Sequence, residues 1–251
     1  MNRFKAAGIH ILISFFIVTT VLAAMYLLWY PNEYFMLMGG QKLIVLLACV
    51  DIFLGPVLTF VVFKSGKKSL KFDLFCIGVV QFAALSYGVY VLFESRPVFT
   101  VFNKNKFQIA AVVDIAPEEL AKTKNPHWQK FSITGPELVA VGAPDERNKV
   151  EAMFAKVESK NAYHYPRLFD QYNNHRDEVI KAGKPLAILS GFSIENKSTI
   201  DRFLNKSNRP ESDFLFLPIA SELAEMSVIV DAKTAALVTI IDAKTNEPAT
   251  K

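Results

Sequence analysis

Cysteine is nearly absent from this chain, and charge is nearly absent from long stretches of its first third. The 251 residues hold two cysteines, Cys49 and Cys76, and none follows Cys76. The C-terminal part therefore carries no disulfide scaffold and no thiol-redox site. Both cysteines lie in apolar runs, where they read as small packing residues. Histidine is scarce as well. His127, His164 and His175 are scattered, without H-x-x-x-H or H-E-x-x-H spacing, so no metal site is expected. No glycine-rich phosphate loop exists, and Ser190-Gly191 lacks the G-x-S-x-G context of a nucleophile elbow. Glu118-Glu119 and Asp145-Glu146 read as first-turn helix acids favoured by the helix dipole. The expectation is a protein without catalytic residues or cofactors.

What is present is apolar length. Three runs, residues 6–30, 43–63 and 74–93, are 25, 21 and 20 residues long. About 20 such residues span a bilayer as a helix. Asp51 is the single acid or base among them, apart from the titratable His10. The loops between them differ in sign. Lys64, Lys67, Lys68 and Lys71 crowd the second, whereas residues 31–41 carry only Glu33. Arg3 and Lys5 precede the first run. Basic loops stay in the cytoplasm, so the N-terminus reads as inside and everything after residue 93 as outside. Tyr26, Trp29, Tyr30 and Tyr34, with Tyr87, Tyr90 and Phe93, mark the outer interface. The first run continues to Trp29, beyond the 7–15 residues of a signal-peptide core, and so reads as an anchor.

This divides the chain into an anchor, 1–93, an outside domain, 94–242, and a polar, frayed tail, 243–251. Up to Phe93 there are 7 Lys/Arg against 3 Asp/Glu, and from Glu94 on there are 21 of each. The basic balance belongs to the anchor and to a lipid bilayer, and nucleic acid is not an expected partner.

An acid within a span is costly, so Asp51 should face protein or water. Helical spacing puts Asp51, Gly55 and Thr59 on one small-residue face, and Gly78, Gln81, Ala84 and Gly88 on a matching face of the third run. Pro56 should kink the helix beside that face. Counting rise per residue, Asp51 is expected to meet Ser86 or Thr19/Thr20 rather than Gln81. Asp51, Gly55, Thr59, Gln81 and Gly88 are the candidate contact for a partner helix in the membrane. A single acid makes a poor proton pathway, and one histidine near the edge makes a poor haem site.

The outside domain reads as α+β with an antiparallel sheet. Strand-like runs at 97–103 and 107–114 flank turn residues 103–106 as a hairpin. Runs at 214–219, 227–231 and 236–242 suggest a meander. Helices are expected at 117–122, 145–158, 168–182 and 198–204, with Gly183 stopping the third, and a strand at 185–189. Asn196-Lys197-Ser198 matches a glycosylation sequon.

Particular segments carry a resemblance. They are Gly8-Ile9-His10-Ile11-Leu12-Ile13-Ser14, Trp29-Tyr30-Pro31, Gly39-Gly40, Val50-Asp51, Gly55-Pro56-Val57-Leu58-Thr59, Lys71-Phe72-Asp73-Leu74 and Ser95-Arg96-Pro97-Val98. Over residues 8–100 the chain closely resembles the TfpX/TfpZ family of type IV pilin accessory proteins of Gram-negative bacteria. The outside domain is similar more loosely, at Pro166-Arg167-Leu168-Phe169 and Leu217-Pro218. The resemblance implies a multi-pass inner-membrane protein with a periplasmic C-terminal domain. It implies a partner, the cognate type IV major pilin, whose assembly into pili the protein aids or modulates, with other inner-membrane pilus assembly proteins nearby. It implies no catalytic residues. The chain itself is not expected to be a pilin, because Ile13 stands where pilins carry a glutamate five residues after the leader glycine. Two rival expectations are a general scaffold of the assembly machine and a membrane-anchored pilin-modifying enzyme.

Overall fold

Asn2 starts the first helix by accepting the Lys5 N–H at 2.9 Å on its side-chain oxygen. In the computed structural model, which describes residues 2–123, 125–142, 161–221 and 223–245, that helix (α1) runs Arg3–Trp29. Its last turn, Met25–Trp29, widens to π geometry. A second long apolar helix (here α3) runs Leu70–Glu94, and both are long and apolar enough to cross a membrane. Between them, residues 40–62 are helical without a break (α2): α over Gly40–Ala48, π over Cys49–Leu54, and α over Gly55–Val62. Proline lacks an N–H, so the helix meets Pro56 by widening in the turn before it. The disturbance expected at Pro56 thus takes the form of a π stretch.

The chain divides into two compact units. One holds the residues up to Phe35 and Gly39–Arg96, and the other holds Met36–Met38 and the chain from Pro97 on. The helical unit is inverted relative to a water-soluble bundle. Phe4, Leu12, Phe16, Phe72 and Phe82 are all more than two-thirds exposed, while Ser14, Asp51 and Thr59 are buried. Tyr30, fully buried, donates its hydroxyl to the Leu92 carbonyl at 2.8 Å and so clasps α1 to α3. Cys49 and Cys76 are exposed, so neither packs inside the unit as expected.

The second unit is built on one sheet. β1 (Pro97–Asn103) and β2 (Lys106–Ala111) form the expected hairpin. β6 (Phe214–Ala220), β7 (Glu225–Asp231) and β8 (Leu237–Ile241) form the expected meander. Two further short strands, β3 (Glu137–Val141) and β4 (Phe169–Gln171), complete the order β4-β3-β1-β2-β6-β7-β8, with β5 (Lys184–Pro185) beside β6. The sheet is mixed rather than antiparallel, because β1/β3 and β2/β6 pair in parallel. Parallel pairs join segments far apart in sequence and leave no turn signal to read. Every residue of β1 is buried, as befits a central strand. One core gathers Phe99, Val101, Trp128, Val139 and Phe169, and another Leu186, Leu189, Ile200, Phe214 and Ile229.

The connecting helices correct several expectations. Pro117–Ala121 (α4) is the short helix expected. Residues 168–182 are not one helix. Phe169 enters the core on β4, a 3-10 turn follows at Tyr172–His175, and α5 spans only Arg176–Ala182 before Gly183. The strand expected at 185–189 is instead a helical turn, Leu186–Ser190 (α6), whose i, i+3 leucines 186 and 189 are both fully buried. The helix at 198–204 is longer, Ile194–Ser207 (α7), because Ser193 caps it by accepting the Asn196 N–H. Residues 243–245, expected to fray, are not loose: Ala243 and Thr245 are buried. The helix expected at 145–158 lies outside the described residues.

Candidate functional site

α2 turns Asp51, Gly55 and Thr59, spaced i, i+4, i+8, toward its neighbours, and all three are buried. His10 Nδ1 of α1 and Thr59 Oγ1 are hydrogen-bonded at 2.6 Å. The Gln81 amide of α3 lies against Gly55, where any Cβ would overlap it. From there Gln81 donates to the Asp51 carboxylate. The sequence had suggested Ser86 or Thr19/Thr20 as Asp51's partner, and the structure overturns this. The expected third span began at Leu74, but α3 begins at Leu70, its first turn carrying Lys71 and Asp73. Asp73 is held there by Lys67 at 2.6 Å and the Ser69 hydroxyl at 3.1 Å. Four extra residues lower the start of α3 by about 6 Å, which brings Gln81 level with Asp51.

Two oxygens remain unused. Asp51 Oδ2 and Gln81 Oε1 are buried and have no hydrogen-bond partner. Both residues line a crevice of about 250 Å³. α1 and α3 each pack on α2 and meet one another at the Tyr30–Leu92 and Trp29–Phe93 end, but hardly elsewhere, so a groove is left between them. His10, Ile13, Ser14 and Ile17 form its α1 wall. Gly78, Gln81, Phe82 and Leu85 form its α3 wall. Each wall is one i, i+3, i+4, i+7 helix face. Gly55, Thr59 and Gly88 lie outside this lining, Gly88 two turns beyond Gln81 and about 10 Å along α3. Of the five residues the sequence singled out, Asp51 and Gln81 line the crevice. The sequence placed Gly78 on the face of Gln81 but missed Ser14, Ile17 and Phe82 as groove walls, which the helical period taken outward from Gln81 and His10 would have found.

The histidines of the second unit do not converge. His127 pairs with Glu137 at 3.2 Å on an open surface hollow. His164 packs edge-on against Tyr163. His175 bridges Asp170 and Glu178, at 3.2 Å each. Burial pushes the Asp170 carboxyl up, but hydrogen bonds from Asn174, the Gln171 N–H and His175 outweigh it and hold the group below its ordinary value. Among the described residues no His, Cys, Asp and Glu are grouped to hold a metal ion. The sequon asparagine, Asn196, is buried. It donates to the Leu189 and Lys244 carbonyls at 3.1 and 2.9 Å and accepts the Lys244 N–H at 3.2 Å. It is a staple for the end of the chain and is not open to a glycan.

Residues 1–39 match the family described as fimbrial assembly protein FimB. A fimbrial assembly protein of serogroup E1 from Dichelobacter nodosus is 30% identical over 233 residues, 90% of each chain. The serogroup I protein of the same organism is 29% identical over 236 residues, again 90% of each. That of serogroups C1 and C2 is 34% identical over 119 residues, 46% of this chain and 90% of the relative. No solved structure matches. With a relative 30% identical over 90% of each chain, this chain belongs to the fimbrial assembly protein family.

Proposed function

We propose that this protein is a non-enzymatic accessory factor of type IV pilus biogenesis that binds its cognate pilin in the bacterial inner membrane and modulates its assembly into pili. The observation that carries the reading is the chain-long likeness to fimbrial assembly proteins. The residue matches over 8–100 favour the narrower TfpX/TfpZ placement within it.

In this reading the anchor crosses the membrane three times and the domain lies in the periplasm. Parity supports it. Met36–Met38, which follow α1, belong to the same unit as the domain that follows α3. Leu37 is fully buried there, and its carbonyl accepts the Ser221 hydroxyl at 2.5 Å. A chain that leaves this unit at residue 38 and re-enters it at residue 97 must cross the membrane an even number of times between. α2 and α3 are the two helices available. At 23 residues, residues 40–62 give about 34 Å of helix, enough for the hydrocarbon core. The basic residues Arg3, Lys5, Lys64, Lys67 and Lys68 then all fall on the cytoplasmic side.

A membrane contact and a periplasmic contact made by one protein raise each other's effective concentration, so neither needs to be tight alone. The test is to crosslink living cells, capture the tagged full chain from solubilised membranes, and probe for pilin. A pilin adduct is the expected result. Adducts with machine subunits alone would favour a general scaffold, and a pilin whose mass depends on this protein would favour a modifying enzyme.

A further inference from the structure

We infer that the groove between α1 and α3 seats one apolar membrane helix of the pilin, and that this helix carries a hydrogen-bond donor for Asp51 Oδ2 and Gln81 Oε1. The inference rests on the pilin-binding reading and names the chemistry of its membrane half.

Three independent observations point the same way. The first is shape. Two walls, each an i, i+3, i+4, i+7 face, flank the middle helix and hardly touch each other, which is the mould of a fourth helix. The second is what the groove asks for. Asp51 is only 5% exposed, yet its Oδ2 has no donor, and Gln81 Oε1 beside it has none. In hydrocarbon, acceptors left open are costly, and a partner side chain with one N–H or O–H satisfies them. The third is the remainder of the lining. Ile13, Ile17, Phe82 and Leu85 suit an apolar occupant, and Gly78 leaves room for a close approach because a Cβ there meets nothing of this chain within 4 Å. An occupant with one donor on an otherwise apolar helix fits all three. A lipid headgroup does not, since Asp51 lies 11 residues from Val62 and Gln81 11 from Leu70, about 16 Å deep.

The experiment places a photocrosslinking amino acid at Ile17 or Phe82, in the walls, and at Phe16 or Val80, which are 73% and 67% exposed and outside the lining. Cells are irradiated and adducts are probed with antibody to pilin. Wall positions should give a pilin adduct and outer positions should not. Gly78→Leu should fill the groove and reduce the adduct to background. Gly8→Leu, at an equally open glycine outside the lining, should leave it unchanged. Asp51→Asn keeps the shape but offers a donor where an acceptor is needed, and should lower the adduct yield by about tenfold. Thermal unfolding of each purified variant in detergent verifies the fold. The inference is overturned if wall positions give only lipid adducts or a second copy of this chain, or if the pilin adduct survives Gly78→Leu. Capture of pilin by the unmodified full chain, alongside failure at the walls, would sink the groove and leave pilin binding standing. Absence of pilin from every arm would sink both.

Discussion

Asp51 and Gln81 meet because each stands 11 residues from the α2–α3 connection, Asp51 from Val62, where α2 stops, and Gln81 from Leu70, where α3 starts. Gly55, one turn along from Asp51, gives the Gln81 amide the space to reach it. The polar centre of the helical unit thus depends on a missing side chain.

Gly55→Ala tests that dependence. Alanine gains helix propensity over glycine by about 1 kcal/mol. It should still destabilise the unit, by about 1–2 kcal/mol net, because the Cβ drives the Gln81 amide off Asp51. Combined with Gln81→Ala the loss should be clearly smaller than the sum of the single losses, as for coupled neighbours. Thermal unfolding of the four proteins in detergent gives the cycle, and additive losses would contradict the pairing.

Asn196→Ala should cost about 2–3 kcal/mol, since it removes three hydrogen bonds and strips the Lys244 N–H and carbonyl of their side-chain partner, while the Leu189 carbonyl keeps the Phe192 N–H at 3.3 Å. Hydrogen exchange at Lys244 should quicken more than at the β7 amides. Uniform quickening would mean that Asn196 is not a local staple.

Acid should act on the sheet domain through Asp231. Arg209, at 2.7 Å, and the Thr234 and Lys233 N–H groups hold its carboxyl well below the usual range. A depressed folded value means the contribution is present above the unfolded value of about 3.9 and fades as pH falls below it. The melting temperature should therefore drop between about pH 4 and lower pH, and Asp231→Asn should flatten that drop. A pH profile identical in wild type and variant would contradict the assignment.

Topology is checked by thiol labelling after replacement of Cys49 and Cys76 by alanine. An impermeant maleimide entering only the periplasm should label Glu33→Cys and Asn105→Cys. Lys67→Cys should react only after lysis. Glu33→Cys and Asn105→Cys on opposite sides would mean that α2 does not cross.

Legibility followed the range of the interactions. The β1–β2 hairpin and the β6–β8 meander were readable because each is specified by adjacent runs and the turn residues between them, such as Ala232-Lys233-Thr234. β3 was not, because its neighbour β1 lies more than thirty residues earlier, and a parallel crossover leaves no local mark. Leu186 and Leu189 suited strand or helix, and only their burial against Phe214 and Ile200 decides for a helix. In the anchor, Asp51, Gly55 and Gln81 stood out by composition alone. Their pairing was misread because Lys71 and Asp73 disguised the true start of α3. Ile13, Ile17, Phe82 and Leu85 are ordinary apolar residues, and their place in the groove walls became visible only once three helices were in place.

The most direct measurement deletes the gene and counts labelled surface pili per cell, with total pilin measured by immunoblot and its mass by spectrometry. The account predicts changed pilus number or length with pilin mass unchanged, restored by the wild-type chain. Unchanged pili and unchanged pilin in the deletion strain would contradict it.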